Sequence, residues 1–206
     1  IFGKNMIDAD AINQYLDSDQ FTVELSDPTS TRQIVLNTSS DILSEKDVRI
    51  ALQHATNKQN ISDGIFYGLE KPADTLFAST VPYCDIELEP YVYDLELAGQ
   101  ILDEAGWKMG SGNVREKDGQ PLNIDLLYNS DSVTEKSIAE YLQSEYQSIG
   151  VSLNIHGEEE QSYRDNMKAG NFDMVFNYRW ALLTTAVITG GNDGCRLRRL
   201  CCTAGL

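Results

Sequence analysis

The sequence is short of cations and has no long apolar run. Its 206 residues include 16 Lys and Arg against 32 Asp and Glu, so the formal net charge is −16. A surface this acidic repels phosphate backbones and anionic lipid headgroups, which argues against nucleic acid or a membrane surface as a partner. No stretch of 18 or more apolar residues occurs, so no membrane-spanning helix is predicted.

Cysteine is also scarce, and three of the four cysteines lie within residues 181–206. Residues 1–180 hold 13 basic and 31 acidic residues, a net charge of −18, whereas residues 181–206 have a net charge of +2. We therefore interpret 181–206 as a divergent tail, frameshifted or otherwise unrelated to the rest. The chain begins at Ile1 without a basic or apolar leader, which we interpret as a sign of a fragment.

The remaining composition is that of a globular protein, and its periodicity alternates between helix and strand. Strands are predicted at 21–25, 34–37, 122–126, 151–155 and 172–177. Helices are predicted at 11–16, 45–55, 59–67, 95–102, 133–149 and 161–169. From residue 94 onwards the two types alternate, which predicts an α/β domain whose strands are joined by crossover helices.

Two local features add detail to this pattern. Ser44 is followed three residues later by Asp47, a spacing that predicts a capped helix N-terminus. Residues 69–93 lose periodicity and contain three prolines, so a long irregular segment is predicted there. Segments of this length usually carry function or lie over a surface, and this one is a candidate for the rim of a ligand cleft.

The sequence offers little for an enzyme. It contains no glycine-rich phosphate loop, no His-Glu-x-x-His and no Gly-x-Ser-x-Gly motif. His54 and His156 lack a neighbouring nucleophile motif, and the acidic run at 158–160 is typical of a solvated face. A small α/β enzyme with a site built from these three features stays as an alternative. The cysteine spacing in the tail matches no zinc motif, so no metal site is predicted.

The end of the last predicted strand is different, because it carries aromatic and cationic residues together. Tyr178, Arg179 and Trp180 follow one another there. Open α/β sheets bind ligands at the carboxyl ends of their strands. These three residues are therefore the candidate ligand-binding residues, with Trp180 first among them.

Five segments in order resemble the family 5 extracellular solute-binding proteins, which serve peptide, oligopeptide and nickel ABC transporters. The segments are 47–58, 93–107, 117–122, 149–151 and 170–173. The first resembles the family's D-x-R-x-A-L-x-x-A helix, and the second resembles its Y-D segment ending in A-G-W. The others resemble its K-x-G-x-P-L, G-[IV]-x-[VL] and G-x-[FY]-D signatures. The amino-acid sequences of 75–83, 115–121 and 157–160 are most similar to those of the nickel-binding members.

This resemblance implies a fold and a function. The expected fold is a type II periplasmic-binding-protein lobe, a mixed sheet flanked by helices, with residues 1–180 as an incomplete second lobe. The expected function is to capture nickel, as a small organic chelate, in a cleft between two lobes and to deliver it to an ABC permease. The resemblance further implies a monomeric protein that has no catalytic activity and no cofactor. It also implies a periplasmic or extracellular location, and attachment to the membrane by a lipid anchor stays open.

The chain also departs from the nickel-type pattern. The arginine of those relatives stands two residues before the tryptophan, where this chain has Tyr178, and its own arginine is Arg179. A shift of one residue on a strand turns a side chain to the other face, so Trp180 transfers more directly than Arg179. A di- or oligopeptide stays as the alternative ligand. This chain alone is not expected to bind a nickel chelate tightly.

Overall fold

The computed structural model describes residues 30–77, 88–180 and 203–205, together with seven isolated positions before residue 30. The helices are α1 (Lys46–His54), α2 (Lys58–Phe66), α3 (Leu95–Glu104), α4 (Val133–Ser148) and α5 (Glu160–Ala169). The strands are β1 (Ser30–Leu36), β2 (Lys108–Met109), β3 (Arg115–Lys117), β4 (Gln120–Pro121), β5 (Asn123–Asn129), β6 (Ser152–Glu158), β7 (Met174–Trp180) and β8 (Thr203–Gly205). The predicted helix 11–16 and strand 21–25 are only partly covered. No described helix is long and apolar enough to cross a bilayer.

Five strands form one mixed sheet in the order β6-β5-β7-β1-β8. β5 runs parallel to β6 and to β7, and helices α4 and α5 make the connections between these strands. β1 runs antiparallel to β7. The predicted α/β unit with crossover helices is therefore confirmed, and the sheet is mixed as the resemblance implies.

The two faces of this sheet pack differently. On one face, apolar side chains of alternate strand positions join helices α1 to α4 in one large buried cluster. Its members from the sheet are Ile34, Leu36, Ile124, Leu126, Leu153, Met174 and Phe176. On the other face a smaller cluster forms around Leu127 and Val175, with Tyr163 from α5. Most of the apolar burial that stabilises the domain thus lies on one side of the sheet.

Three described helix N-termini are capped by side chains that the sequence supplies directly before them. The side-chain oxygen of Asn57 accepts a hydrogen bond from the Asn60 N–H (2.9 Å) at the start of α2. The carboxylate of Asp94 accepts a hydrogen bond from the Leu97 N–H (2.9 Å) at the start of α3. The hydroxyl of Ser132 accepts one from the Glu135 N–H (3.2 Å) at the start of α4. These bonds satisfy N–H groups that have no partner inside the helix.

The predicted cap at Ser44 is wrong. The cap position of α1 is Glu45, which makes no side-chain capping bond. Ser44 lies within the preceding turn, where its N–H bonds to the Ser40 carbonyl (2.8 Å) and its hydroxyl donates to the Asp41 carbonyl (2.7 Å). Glu45 instead binds Lys117, with Oε2 2.8 Å from Nζ. The Ser44 hydroxyl is therefore engaged within the preceding turn and does not cap α1.

A small sheet with the order β2-β3-β4 was not predicted, because its strands are only two or three residues long. Its central residue is Arg115, which is 6% exposed. Arg115 donates to the carbonyls of Ile149 and Trp107, each at 2.7 Å, and to Asp103 Oδ1 at 2.9 Å. These bonds tie the ends of α3 and α4 to the small sheet.

The segment 69–93 has no helix or strand in its described parts. Its first part lies against α2, where Lys58 Nζ donates to the Asp74 carboxylate at 2.8 Å. Its last part returns to α1, where His54 Nδ1 lies 2.7 Å from the Val92 carbonyl oxygen. The segment is thus fixed at both ends to the α1–α2 pair by side-chain contacts.

Candidate functional site

The carboxyl end of β7 holds the three residues that the sequence singled out. In the pairing of β1 with β7, Tyr178, Arg179 and Trp180 lie opposite Arg32, Thr31 and Ser30, respectively. The side chains of the three β7 residues lie outside the described part of the structure. Because β5 and β7 are parallel, their carboxyl ends meet at one edge of the sheet, here called the carboxyl edge.

Arg32 is the centre of a charged cluster at the carboxyl edge. Its Nη2 lies 3.3 Å from Glu70 Oε1, and the two side chains are only 12% and 24% exposed. Its guanidinium carbon lies 4.9 Å from the centre of the Phe66 ring, a cation–π contact. A charge this buried requires pairing, which the carboxylate and the aromatic face supply.

Glu135 is a second, more deeply buried carboxyl group of this cluster. It lies in the first turn of α4, is 4% exposed, and its Oε2 accepts a hydrogen bond from the Asn129 N–H (2.9 Å). Burial raises the pKa of Glu135, whereas the Asn129 bond and the positive charge of Arg32 lower it. Arg32 therefore faces two carboxyl groups, one from the irregular segment and one from a helix.

α5 supports the same edge from the other face of the sheet. Asn129 Nδ2 donates to Glu160 Oε2 at 2.6 Å, and the Tyr163 hydroxyl donates to the Phe176 carbonyl. Burial raises the pKa of Tyr163, and the negative charges of Glu135 and Glu160 raise it further, so the phenol stays a donor. These groups bond to one another and to the backbone, which is the arrangement of a rigid support.

Sequence reasoning did not find Arg32, Glu70 or Glu135. A signal for Arg32 exists, since it continues the alternation of Ile34 and Leu36 along β1. A charge in an otherwise apolar row predicts a buried partner. Glu70 lies in a stretch without periodicity, and no pattern in the sequence joins it to β1.

The two histidines considered for an enzyme lie in separate local contacts. His54 ends α1 and meets the Tyr91 ring edge-on, with centroids 5.3 Å apart. His156 lies on β6, where its Nε2 is 3.2 Å from Asp125 Oδ1. Neither contact involves the other histidine, so the hypothesis of a joint catalytic site gains no support.

The acidic run at 158–160 serves the start of α5. Glu158 accepts hydrogen bonds from the Ser162 hydroxyl (2.5 Å) and from Asn166 Nδ2 (2.7 Å), and Glu160 pairs with Arg164. Acidic groups at a helix N-terminus are stabilised by the helix dipole. In the described part of the chain, no group of three or more His, Cys, Asp and Glu residues could hold a metal ion.

An open groove of about 470 Å³ lies elsewhere, on the β5–β6 face beside α5. Its lining includes Asp125, His156 and Asp173 and, among the described residues, does not include Arg32. The Asp125 N–H donates to Asp173 Oδ2 at 3.0 Å, so these acids already hold neighbouring strands together. The groove is therefore distinct from the candidate edge.

Comparison with known proteins gives a consistent result. Residues 5–186 match the family described as bacterial extracellular solute-binding proteins, family 5 (middle). The nickel-binding periplasmic protein of Escherichia coli K12 is 36% identical over 178 residues, which cover 86% of this chain and 34% of that protein. The oligopeptide-binding protein AppA of Bacillus subtilis is 28% identical over 159 residues, covering 72% and 28%, respectively.

One solved structure is similar in both sequence and shape. The crystal structure of NikA from Brucella suis in complex with Fe(III)-EDTA has a TM-score of 0.80 and 41% identity. The match covers 84% of this chain and 35% of that one. This chain thus spans about a third of the length of the proteins it resembles.

Proposed function

Because the chain belongs to family 5 of the bacterial extracellular solute-binding proteins, we propose that it is part of the substrate-binding component of an ABC importer. Its ligand under this proposal is nickel carried as a small organic chelate. Support comes from 36% identity to a relative named for nickel binding. Further support comes from 41% identity to NikA, whose structure holds the metal chelate Fe(III)-EDTA.

The ligand would contact the carboxyl edge of the sheet, with Trp180 stacking on it or walling it off. Tyr178 and Arg179 are the secondary contacts. The observation that carries this proposal is the backbone position of Trp180 at the carboxyl end of β7, where ligands of open α/β sheets bind. The bonded groups beneath this edge, from Arg32 to Tyr163, would keep it rigid while a ligand enters and leaves.

The mechanism that follows is physical and requires no reacting group. Two lobes close on the ligand, bury it in the cleft and present the closed form to a membrane permease. The binding free energy then comes from stacking, hydrogen bonds and desolvation inside the closed cleft. Such a component acts in the periplasm or outside the cell, where the importer meets its solute.

A second candidate ligand is a di- or oligopeptide. It is favoured by the 28% identity to AppA, which is named for oligopeptide binding. A peptide would use hydrogen bonds to its backbone where a chelate would use stacking and charge. The two ligands therefore predict different responses to the loss of Trp180, because only the compact chelate depends on one aromatic wall.

Amide NMR spectra with a paramagnetic chelate test the proposal even when binding is weak. Fe(III)-EDTA, compared with diamagnetic Ga(III)-EDTA, broadens the signals of amides close to the bound metal. We expect broadening at residues 178–180 and not around the open groove at Asp125. The Trp180→Ala variant should lose most of it, whereas Met109→Ala, which removes an exposed apolar side chain far from this edge, should not.

The chain's net charge of −16 sharpens this test, because an acidic surface repels the anionic chelate elsewhere. Uniform broadening, or broadening that survives Trp180→Ala, would count against a chelate site at this edge. Localised broadening by a spin-labelled tripeptide, with none from Fe(III)-EDTA, would favour the peptide alternative.

A further inference from the structure

Arg32 lies in the row of β1 side chains that faces the main cluster, beside apolar residues. Along β1 it alternates with Ile34 and Leu36, which are both 2% exposed in the main cluster. An apolar residue at this position would avoid the desolvation cost of a buried charge. The presence of arginine therefore indicates a task beyond packing.

The partners of Arg32 show what that task is. Phe66 is the last residue of α2, and Glu70 follows it in the first part of the irregular segment, here called the 69–77 segment. Both partners therefore belong to the chain that leaves α2. Through this cation–π contact and ion pair, β1 holds the point at which the irregular segment begins.

Further hydrogen bonds of the 69–77 segment lead to α2. The Ser62 hydroxyl donates to the Glu70 carbonyl, and Lys58 Nζ donates to the Ala73 carbonyl at 3.1 Å. These bonds fix the segment along the helix. The Arg32–Glu70 pair adds a link in the other direction, to the strand that lies beside β7.

We propose that Arg32 is a positioning residue whose pair with Glu70 holds the 69–77 segment beside the carboxyl end of β7, as one wall of the ligand cleft. The cleft itself rests on the proposed function, whereas the contact does not. Tyr178 is the register partner of Arg32, so the segment and the candidate residues are joined through one strand pair. Lysine would replace Arg32 only in part, because it keeps the charge but lacks the planar guanidinium that stacks on Phe66 while pairing with a carboxylate.

Hydrogen exchange at the amides of the 69–77 segment tests the link directly. Arg32→Met and Glu70→Gln should each speed exchange there by about three- to tenfold, as expected for loss of a partly buried pair. Arg32→Lys should give an intermediate effect. The double variant should exchange no faster than either single variant, because both changes break the same link.

The matched control is Lys117→Met at the opposite edge of the domain. Lys117 also combines a carboxylate, Glu45 at 2.8 Å, with an aromatic ring, that of Trp107 at 5.7 Å. This variant should leave exchange in the 69–77 segment unchanged. A general loss of folding in Arg32→Met would speed exchange in α4 as well, in which case Glu70→Gln decides the result.

The chelate experiment extends the test to the cleft. In Arg32→Met, the broadening by Fe(III)-EDTA at residues 178–180 should weaken, although Arg32 itself need not touch the chelate. Unchanged exchange in both single variants, or additive effects in the double variant, would overturn the proposal. Absence of broadening in the unsubstituted chain would instead count against a chelate site formed by this chain, and the exchange rates would still decide whether Arg32 holds the segment.

Discussion

Arg32 and Arg115 are two largely buried arginines at opposite edges of the domain, and they are held in different ways. Arg115 is held by short bonds to two backbone carbonyls and one carboxylate, all within 2.9 Å. Arg32 is held by the ring of Phe66 and by a longer 3.3 Å contact with Glu70. Arg115 joins helices α3 and α4 to the small sheet, whereas Arg32 joins the main sheet to the irregular 69–77 segment.

The difference shows how similar residues serve stability or function according to their partners. Two of the Arg115 bonds go to backbone carbonyls next to the ends of α3 and α4, and breaking them leaves buried acceptors unpaired. A carboxylate in an irregular segment can move, so the pair of Arg32 can break locally. Stability should therefore depend mainly on the Arg115 edge, and ligand binding mainly on the carboxyl edge.

The largest expected effect is on Arg115. Arg115→Met removes three hydrogen bonds and leaves buried acceptors, so it should lower the free energy of unfolding by about 3–5 kcal/mol. Urea denaturation measures this change. The control is Lys108→Met, which removes a 68% exposed cation from the same Asp103 and should cost less than about 0.5 kcal/mol. Equal losses in the two variants would show that the buried bonds of Arg115 contribute no more to stability than an exposed ion pair.

A smaller effect is expected at Gly150, where α4 ends. Gly150 has φ +82°, and a Cβ there would lie 2.8 Å from Met109 Sδ and 2.9 Å from Arg115 Cγ. Gly150→Ala should cost about 2–3 kcal/mol, from backbone strain and displacement of these side chains. Gly170→Ala has a similar φ of +76° with open space around it, so thermal unfolding should show only the strain, about 1 kcal/mol.

The smallest effect is a pH dependence at the carboxyl edge. Because burial raises the pKa of Glu135, its contribution to stability is full below its ordinary pKa and declines as the pH rises through the folded value. Glu135→Gln keeps the Asn129 hydrogen bond without the charge. Its free energy of unfolding, relative to the unsubstituted chain, should therefore improve between pH 4 and pH 8.

Glu140→Gln on the same helix serves as the reference for that titration. Glu140 is 55% exposed and lies 3.8 Å from Lys136, so its replacement should leave the pH profile unchanged. A relative stability of Glu135→Gln that falls with rising pH would show that Arg32 and Asn129 dominate over burial at Glu135.

The fold could be predicted where the sequence is periodic, whereas the contacts that hold the candidate site in place could not be predicted. The alternation around Leu126 and the stripe through Leu142 follow from local rules, because each strand or helix buries one face. The Arg32–Glu70 pair joins residues that no local rule relates. The predicted Ser44 cap is wrong for a different reason, because its hydroxyl bonds to the Asp41 carbonyl within the preceding turn.

Two predictions concern residues that lie partly or wholly outside the described part of the chain. The side chains of Tyr178, Arg179 and Trp180 are not among the described groups, so their ligand contacts stay predictions. Most of 181–206 is outside as well, apart from β8, which pairs with β1. The family match ends at residue 186, and translation of the coding DNA in its other two frames beyond Trp180 tests the interpretation as a frameshifted tail.

The pairing of β1 with β7 has a consequence for the order in which the chain folds. Its partners are separated by 138 to 150 residues, from Leu36–Met174 to Ser30–Trp180, whereas β5 and β6 partners are only 29 residues apart. Closing the longer loop costs more chain entropy, and distant contacts form late. During synthesis β1 leaves the ribosome before β7, and the two strands cannot pair until β7 has been made. The carboxyl edge, which that pairing completes, is therefore among the last parts of the domain to assemble.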